Sequence, residues 1–217
     1  MELYFMDVES LDEKLFVRKV SPGRQNRIMR MKLEDDRRRG LGSELLRNYA
    51  VKEYVKKRYT EEAYESVRYD RMDNGKPVAF MDDKEIMFNV SHSGKYVVVA
   101  VGDKVCGVDV EGPRPMRQSV VDRCFTGLEQ IAVEKASNPE KAFVTIWTMK
   151  ESYLKMTGEG IRSNLSNVET YFDESMDNYC HDGVNYQVFH KDDYIVTLCY
   201  KGQKEDITQY TVTLDMI

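Results

Sequence analysis

The stretch VCGVDVEG, Val105–Gly112, decides how this chain is organised. In a strand, successive side chains point to opposite faces. Cys106, Val108 and Val110 then make one apolar face, while Gly107, Asp109 and Glu111 make the other. The run stops at Gly112-Pro113-Arg114-Pro115, which breaks the chain. Upstream, Ile86–Val90 and Tyr96–Val101 are strand-like too, with turns at Ser93-Gly94-Lys95 and Gly102-Asp103-Lys104, so the three runs read as an antiparallel meander. Earlier still, Glu2–Val8 alternates weakly as a first strand and Ser21-Pro22 opens a helix. Leu41–Val55 has helical spacing, and Asp73-Asn74-Gly75 is a turn. Beyond the break come three helical segments, about Ser119–Phe125, Leu128–Ala136 and Glu140–Thr157. Strand-like pieces follow near Val168–Phe172, Val184–Phe189, Tyr194–Tyr200 and Ile207–Leu214. Helices then strands, twice over, predict an α+β chain of two similar halves, 1–105 and 106–217. No sequence repeat relates them.

The chain has 217 residues, 41% hydrophobic and 32% charged, which suits one large domain or two small ones with a buried core. The net charge of −5 gives no support for nucleic-acid binding. The acidic N-terminus MELYFMDVESLDEK lacks the basic-then-apolar pattern of a signal peptide. The longest apolar run, Tyr96–Val101, is too short to cross a membrane. A cytoplasmic protein is expected. Cys106, Cys124, Cys180 and Cys199 are scattered and read as reduced core thiols. Against the acidic total, Arg24–Arg39 holds seven basic residues and three acids.

Four pieces have the residue types for phosphate and metal chemistry. Asp109 and Glu111 place two carboxylates on one strand face, where a hard divalent cation relieves their repulsion; the plain alternative is a solvated face on an edge strand. In IWTMKESYLKMTGEGI, Ile146–Ile161, residues Trp147, Glu151 and Lys155 are spaced i, i+4, i+8 in one row. Taken alone, Glu151 and Lys155 read as an ordinary helix ion pair. FNVSHSGKY, Phe88–Tyr96, sets His92 between Ser91 and Ser93 near a glycine turn, an arrangement suited to an anion or to nothing more than a polar turn. Lys76, in NGKPVA, sits on a turn stiffened by Pro77.

Together with FTGLE, Phe125–Glu129, these pieces occur in a compact order that resembles the surfactin-synthetase type of 4'-phosphopantetheinyl transferase, over about Ser21–Ile161. The resemblance implies a pseudo-symmetric two-half fold with coenzyme A in a cleft between the halves. It implies transfer of the phosphopantetheine arm to a serine of an apo carrier protein, releasing adenosine 3',5'-bisphosphate. It implies Mg2+ held by Asp109, Glu111 and Glu151, with Lys155 on the phosphates. Ser91 and His92 would bind phosphate, Lys76 the adenosine end, and Arg24 and Arg27 the 3'-phosphate. Arg38 falls where the family has an Arg at the start of a long helix and would also bind coenzyme A, with Arg37 or Arg39 as substitutes for Arg38. Glu151 is the expected general base, alone or through a shared water, and Glu129 its rival. Thr126 stands where the family usually has Ser. An acidic carrier domain would dock on the mixed basic and apolar stretch of Arg114, Met116, Arg117, Val120 and Val121. Polyketide or nonribosomal-peptide carriers are the expected substrates, and a monomer the expected state. A non-catalytic coenzyme A-binding protein of the same fold, and a Mg2+-dependent phosphohydrolase, are the competing readings.

Overall fold

A computed structural model of the chain describes residues 1–60, 62–72, 75–160 and 165–217. The Asp73-Asn74 part of the expected turn, and Ile161, lie outside the described residues. In chain order the elements are β1 (Glu2–Asp7), α1 (Glu13–Phe16), α2 (Pro22–Met29), α3 (Glu34–Arg58), β2 (Val67–Arg71), β3 (Pro77–Met81), β4 (Lys84–Ser93), β5 (Tyr96–Gly102), β6 (Cys106–Glu111), α4 (Gln118–Cys124), α5 (Gly127–Lys135), α6 (Pro139–Thr157), β7 (Asn178–His181), β8 (Val184–Lys191), β9 (Tyr194–Lys201) and β10 (Thr208–Thr211). The α+β class is as expected. Among the described residues no helix is long and apolar enough to cross a membrane.

The chain divides into two compact units. The first comprises Met1–Met72, Pro77–Asp103 and Asp206–Ile217. Its sheet runs β10-β1-β5-β4-β3-β2, and β10 pairs parallel with β1, which brings the C-terminal segment into this unit. Helix α3 lies on the sheet through Leu41, Leu45, Leu46, Val51 and Val55, which join Met6, Val97 and Val99 in one core. It starts a full turn or more before Leu41. Glu34, Asp35 and Asp36 occupy its first turn and Lys56, Lys57 and Arg58 its last, so charges of each sign sit at the favourable end of the helix dipole.

The second unit comprises Asp73–Lys76 and Lys104–Glu205, with a sheet ordered β6-β9-β8-β7. Strand β6 therefore leaves the expected meander. Strand β5 already has β4 on one edge and β1 on the other, while β6 finds an antiparallel partner in β9. Helix α6 begins at Asn138, whose side chain accepts from Lys141 N, with Pro139 at the first helical position. It crosses β6 so closely that a Cβ on Gly107 would lie 1.9 Å from Ser152 O and 2.5 Å from Met156 N. Only glycine admits this approach. The opposite face of β6, Cys106, Val108 and Val110, is buried as well.

The expected strand at Val168–Phe172 does not form; a short 3-10 turn at Leu165–Asn167 and irregular chain replace it. The reason lies in its hydrogen bonds. Leu165 O and Val168 O accept from the Lys150 side chain, and Thr170 N donates to Glu129, so side chains take the place of a neighbouring strand. Three of the four cysteines are buried free thiols as expected, but Cys180 is exposed.

Candidate active site

In the second unit the face of β6 marked by Gly107 is the one that α6 covers. Asp109 is thereby only 5% exposed, and Lys155 Nζ on α6 donates to its Oδ1 at 2.6 Å. Glu151, one turn before Lys155, shares this environment. Burial raises its carboxyl above the usual range, and Asp109 and Glu111 push the same way, with Lys155 and Arg114 opposing. Glu111, at the end of β6, is paired with Arg114 Nη1 at 3.4 Å. Arg114 also lies 5.0 Å over the Trp147 ring and 5.5 Å over Phe143, so the half-buried Trp147 supports the cation beside Glu111. Lys76 Nζ donates to Met156 O at 3.1 Å near the end of α6.

Asp109, Glu111, Glu151, Lys155 and Lys76 thus gather around one strand and one helix. Of these, Asp109, Glu111 and Glu151 offer carboxylate oxygens, the donor type that a hard divalent cation prefers. Two cations, Lys155 and Arg114, now offset that charge. Among the described residues no three His, Cys, Asp or Glu side chains converge as a ready-made metal site.

Glu129 has a different setting. It is 2% exposed and forms a capping box with Thr126 at the start of α5. Its Oε1 accepts from Thr170 N at 2.8 Å and Thr170 Oγ1 at 2.7 Å; its Oε2 accepts from Thr126 N at 2.8 Å and pairs with Lys150 Nζ at 2.8 Å. Lys150 is fully buried; desolvation draws its ammonium below the usual lysine range, with Glu129 opposing. The role of Lys150 was not read from the sequence.

The remaining candidates lie in the first unit. Ser91 and His92 are on β4, which runs on through Ser93 before turning at Gly94; Ser91 is buried and His92 exposed. Arg38 pairs with Glu34 in its own helix. Arg37 pairs with Glu13 at 2.7 Å. Arg39, besides pairing with Asp36, donates to Gly94 O at 3.1 Å, so it is the member of this trio beside the strand end that carries Ser91 and His92. Arg24 contacts Glu44 at 2.8 Å, and Arg47 holds the same carboxylate at 2.8 Å. Burial depresses the Arg24 guanidinium; Glu44 opposes this, and the nearby guanidiniums of Arg27, Arg47 and Arg71 add to it. Arg47 and Arg71 extend the basic cluster beyond the residues the sequence pointed to.

Residues 105–214 match the family model of the 4'-phosphopantetheinyl transferase superfamily, and residues 10–104 match that of the 4'-phosphopantetheinyl transferase N-terminal domain. The chain is 35% identical over 136 residues to 4'-phosphopantetheinyl transferase psf-1 of Bacillus pumilus, covering 62% of this chain and 55% of that protein. It is 27% identical over 168 residues to 4'-phosphopantetheinyl transferase Sfp of Bacillus subtilis (strain 168), covering 74% and 72%. It is 27% identical over 171 residues to the L-aminoadipate-semialdehyde dehydrogenase-phosphopantetheinyl transferase of Mus musculus, covering 71% and 53%. The match thus spans little more than half the length of psf-1 and of the mouse protein. With both halves of the sequence matched in order, the chain belongs to the 4'-phosphopantetheinyl transferase superfamily.

Proposed function

We propose that this chain transfers the 4'-phosphopantetheine group of coenzyme A to a serine hydroxyl of an apo carrier protein, releasing adenosine 3',5'-bisphosphate. The observation that carries the reading is the convergence of β6 and α6, which sets Lys155 2.6 Å from a buried Asp109 and puts Glu151 in the field of both Asp109 and Glu111. The reaction breaks a pyrophosphate bond and needs two things: compensation of phosphate charge and removal of a proton from a weak alcohol nucleophile. Asp109, Glu111 and Glu151 would hold Mg2+, which when bound supplies Lewis acidity toward the pyrophosphate. Lys155 places a cation against the phosphates and the leaving bisphosphate. Glu151 takes the serine proton, directly or through a water. Ser91, His92, Arg39 or Arg38, Arg24, Arg27 and Lys76 bind the phosphates and adenosine end of coenzyme A. In this reading the catalytic unit is formed by halves 1–105 and 106–217, with Asp206–Ile217 of the second half packing in the first compact unit.

The partner is an acidic carrier domain of a polyketide or nonribosomal-peptide system, steered by Arg114 and Arg117 beside Met116, Val120 and Val121. The enzyme acts in the cytoplasm as a monomer. The test is incubation with coenzyme A, Mg2+ and a panel of apo carriers, followed by intact-mass measurement. A gain of one phosphopantetheine, lost in Asp109→Ala and in a normally folded Glu151→Gln, supports the reading. Coenzyme A consumed with every carrier unmodified sinks it.

A further inference from the structure

The ion pair of Glu129 and Lys150 has no free hydrogen-bonding capacity. A carboxylate offers about four acceptor sites. Those of Glu129 are taken by Thr170 N, Thr170 Oγ1, Thr126 N and Lys150 Nζ. An ammonium has three donors, and those of Lys150 go to Glu129, Leu165 O and Val168 O. To accept a proton, Glu129 would have to expel one of its four donors from a place that is 2% exposed. The two side chains instead join three pieces of the second unit: the start of α5 at Thr126, the middle of α6 at Lys150, and the irregular segment from Leu165 to Thr170.

Neighbouring residues in a helix point about 100° apart. Glu151 therefore cannot turn away from Asp109 without pulling Lys150 off its three acceptors, which would leave a buried charge uncompensated. We propose that Glu129 and Lys150 are positioning residues: the pair moves no proton and holds α6 at the rotation that turns Glu151 toward Asp109. This rests on the transferase reading above, and it takes Glu129 out of competition for the general base.

The test uses the full chain as wild type, Lys150→Met, Glu129→Gln and the double variant. Carrier modification is followed by intact mass to give kcat per folded molecule and KM for coenzyme A. Amide hydrogen exchange is followed at Thr126 and Thr170. Lys150→Met strands the Glu129 charge, so kcat falls roughly 100-fold, as expected for a misplaced catalytic group, with KM within about two-fold. Exchange at Thr170 accelerates. Adding Glu129→Gln to Lys150→Met removes the stranded charge and brings kcat back to within roughly ten-fold of wild type. A base at Glu129 gives the reverse order: the double variant is no faster than Lys150→Met and lies about 1000-fold below wild type. That order overturns the proposal. So does an unchanged kcat per folded molecule in every variant, which leaves the pair a purely structural role. If Lys150→Met does not fold, the uncharged double variant decides alone: kcat within roughly ten-fold of wild type keeps the proposal, and a fall of about 1000-fold overturns it. A wild-type chain that modifies no carrier sinks the transferase reading instead; exchange needs no substrate, and unaccelerated exchange in the Lys150 variant then still overturns the tether.

Discussion

Helices α3 and α6 each lie on the sheet of their own unit, and a glycine marks each contact, but the two glycines face different neighbours. A Cβ at Gly107 would meet backbone, Ser152 O at 1.9 Å and Met156 N at 2.5 Å. A Cβ at Gly42 would meet side-chain ends, Val8 Cγ1 at 2.5 Å, Met6 Cε at 3.2 Å and Val97 Cγ2 at 3.3 Å. Helix α6 is therefore held against its strand at a distance that leaves no adjustable layer, while α3 rests on side chains that can repack. The functional candidates divide the same way. On α6, Lys155 meets the buried Asp109 at 2.6 Å, and Glu151 lies in the field of the same carboxylate. On α3, the arginines reach out on long side chains held by acids of their own helix or of α1. Bond-breaking groups require the first kind of support, and charges that attract a phosphate tolerate the second.

The most damaging way to test this contrast is Gly107→Ala. Ordinary overpacking costs about 1–3 kcal/mol, and here the obstacle is backbone that cannot step aside, so the cost reaches or exceeds the top of that range. Circular dichroism melting should show it, at about 2–4 °C per kcal/mol for a chain of this size, and carrier modification should be lost with it. A variant melting like wild type with full activity would show that α6 is not locked to β6. Next in size is Gly42→Ala. Met6 is flexible and Val8 must turn about its Cα–Cβ bond, while replacing a helical glycine by alanine returns about 1 kcal/mol of propensity, so the net loss should stay below that of Gly107→Ala with kcat unchanged. Equal losses at both glycines would erase the distinction between the helices.

Helix starts sharpen the comparison from another side. Helix α5 begins with the Thr126–Glu129 capping box, whereas α3 begins at Leu33, which is 64% exposed and makes no side-chain cap. Thr126→Ala should lower stability by about 1 kcal/mol, and Leu33→Ser should raise it by up to about 1 kcal/mol. The opposite signs, read in parallel denaturant melts, are the check. The same sign in both would mean that the acids in the first turn of α3 already meet its capping need.

Much of this architecture was legible before any coordinates. The apolar runs at Tyr96–Val101 and Tyr194–Tyr200 became the buried strands β5 and β9, because nothing competes with burial for such residues. The helices from Gln118 to Thr157 lay close to their expected bounds. Strands β2 and β7 were missed because they are sheet edges with mixed, partly exposed faces. Strand β6 was assigned to the wrong sheet because pairing is decided by which edges remain open, and a local pattern does not contain that. Glu129 was read only as a rival base, although Thr-Gly-Leu-Glu is also a capping-box pattern, and that box forms. Lys150 carried no signal at all: lysine is almost never fully buried, and its three acceptors come from residues that follow it by 15 or more positions or precede it by 21.

The smallest effects should separate Arg38 from Arg39. Both make ion pairs within α3 that are partly open to solvent, so replacing either by alanine should change stability by no more than about 0.5 kcal/mol. Their difference lies in reach. Arg38 returns to Glu34 one turn back, whereas Arg39 also donates to Gly94 O, next to the end of β4 that carries Ser91 and His92. If that strand end binds a phosphate of coenzyme A, the guanidinium beside it contributes to ground-state binding rather than to the bond-breaking step. Arg39→Ala should then raise KM for coenzyme A several-fold at constant kcat, in the manner of a lost charged contact, and Arg38→Ala should raise it less. Steady-state rates over a range of coenzyme A concentrations decide the matter. A larger KM effect at Arg38 would return the phosphate contact to the residue first expected, and would mean that the Arg38–Glu34 pair opens when coenzyme A binds.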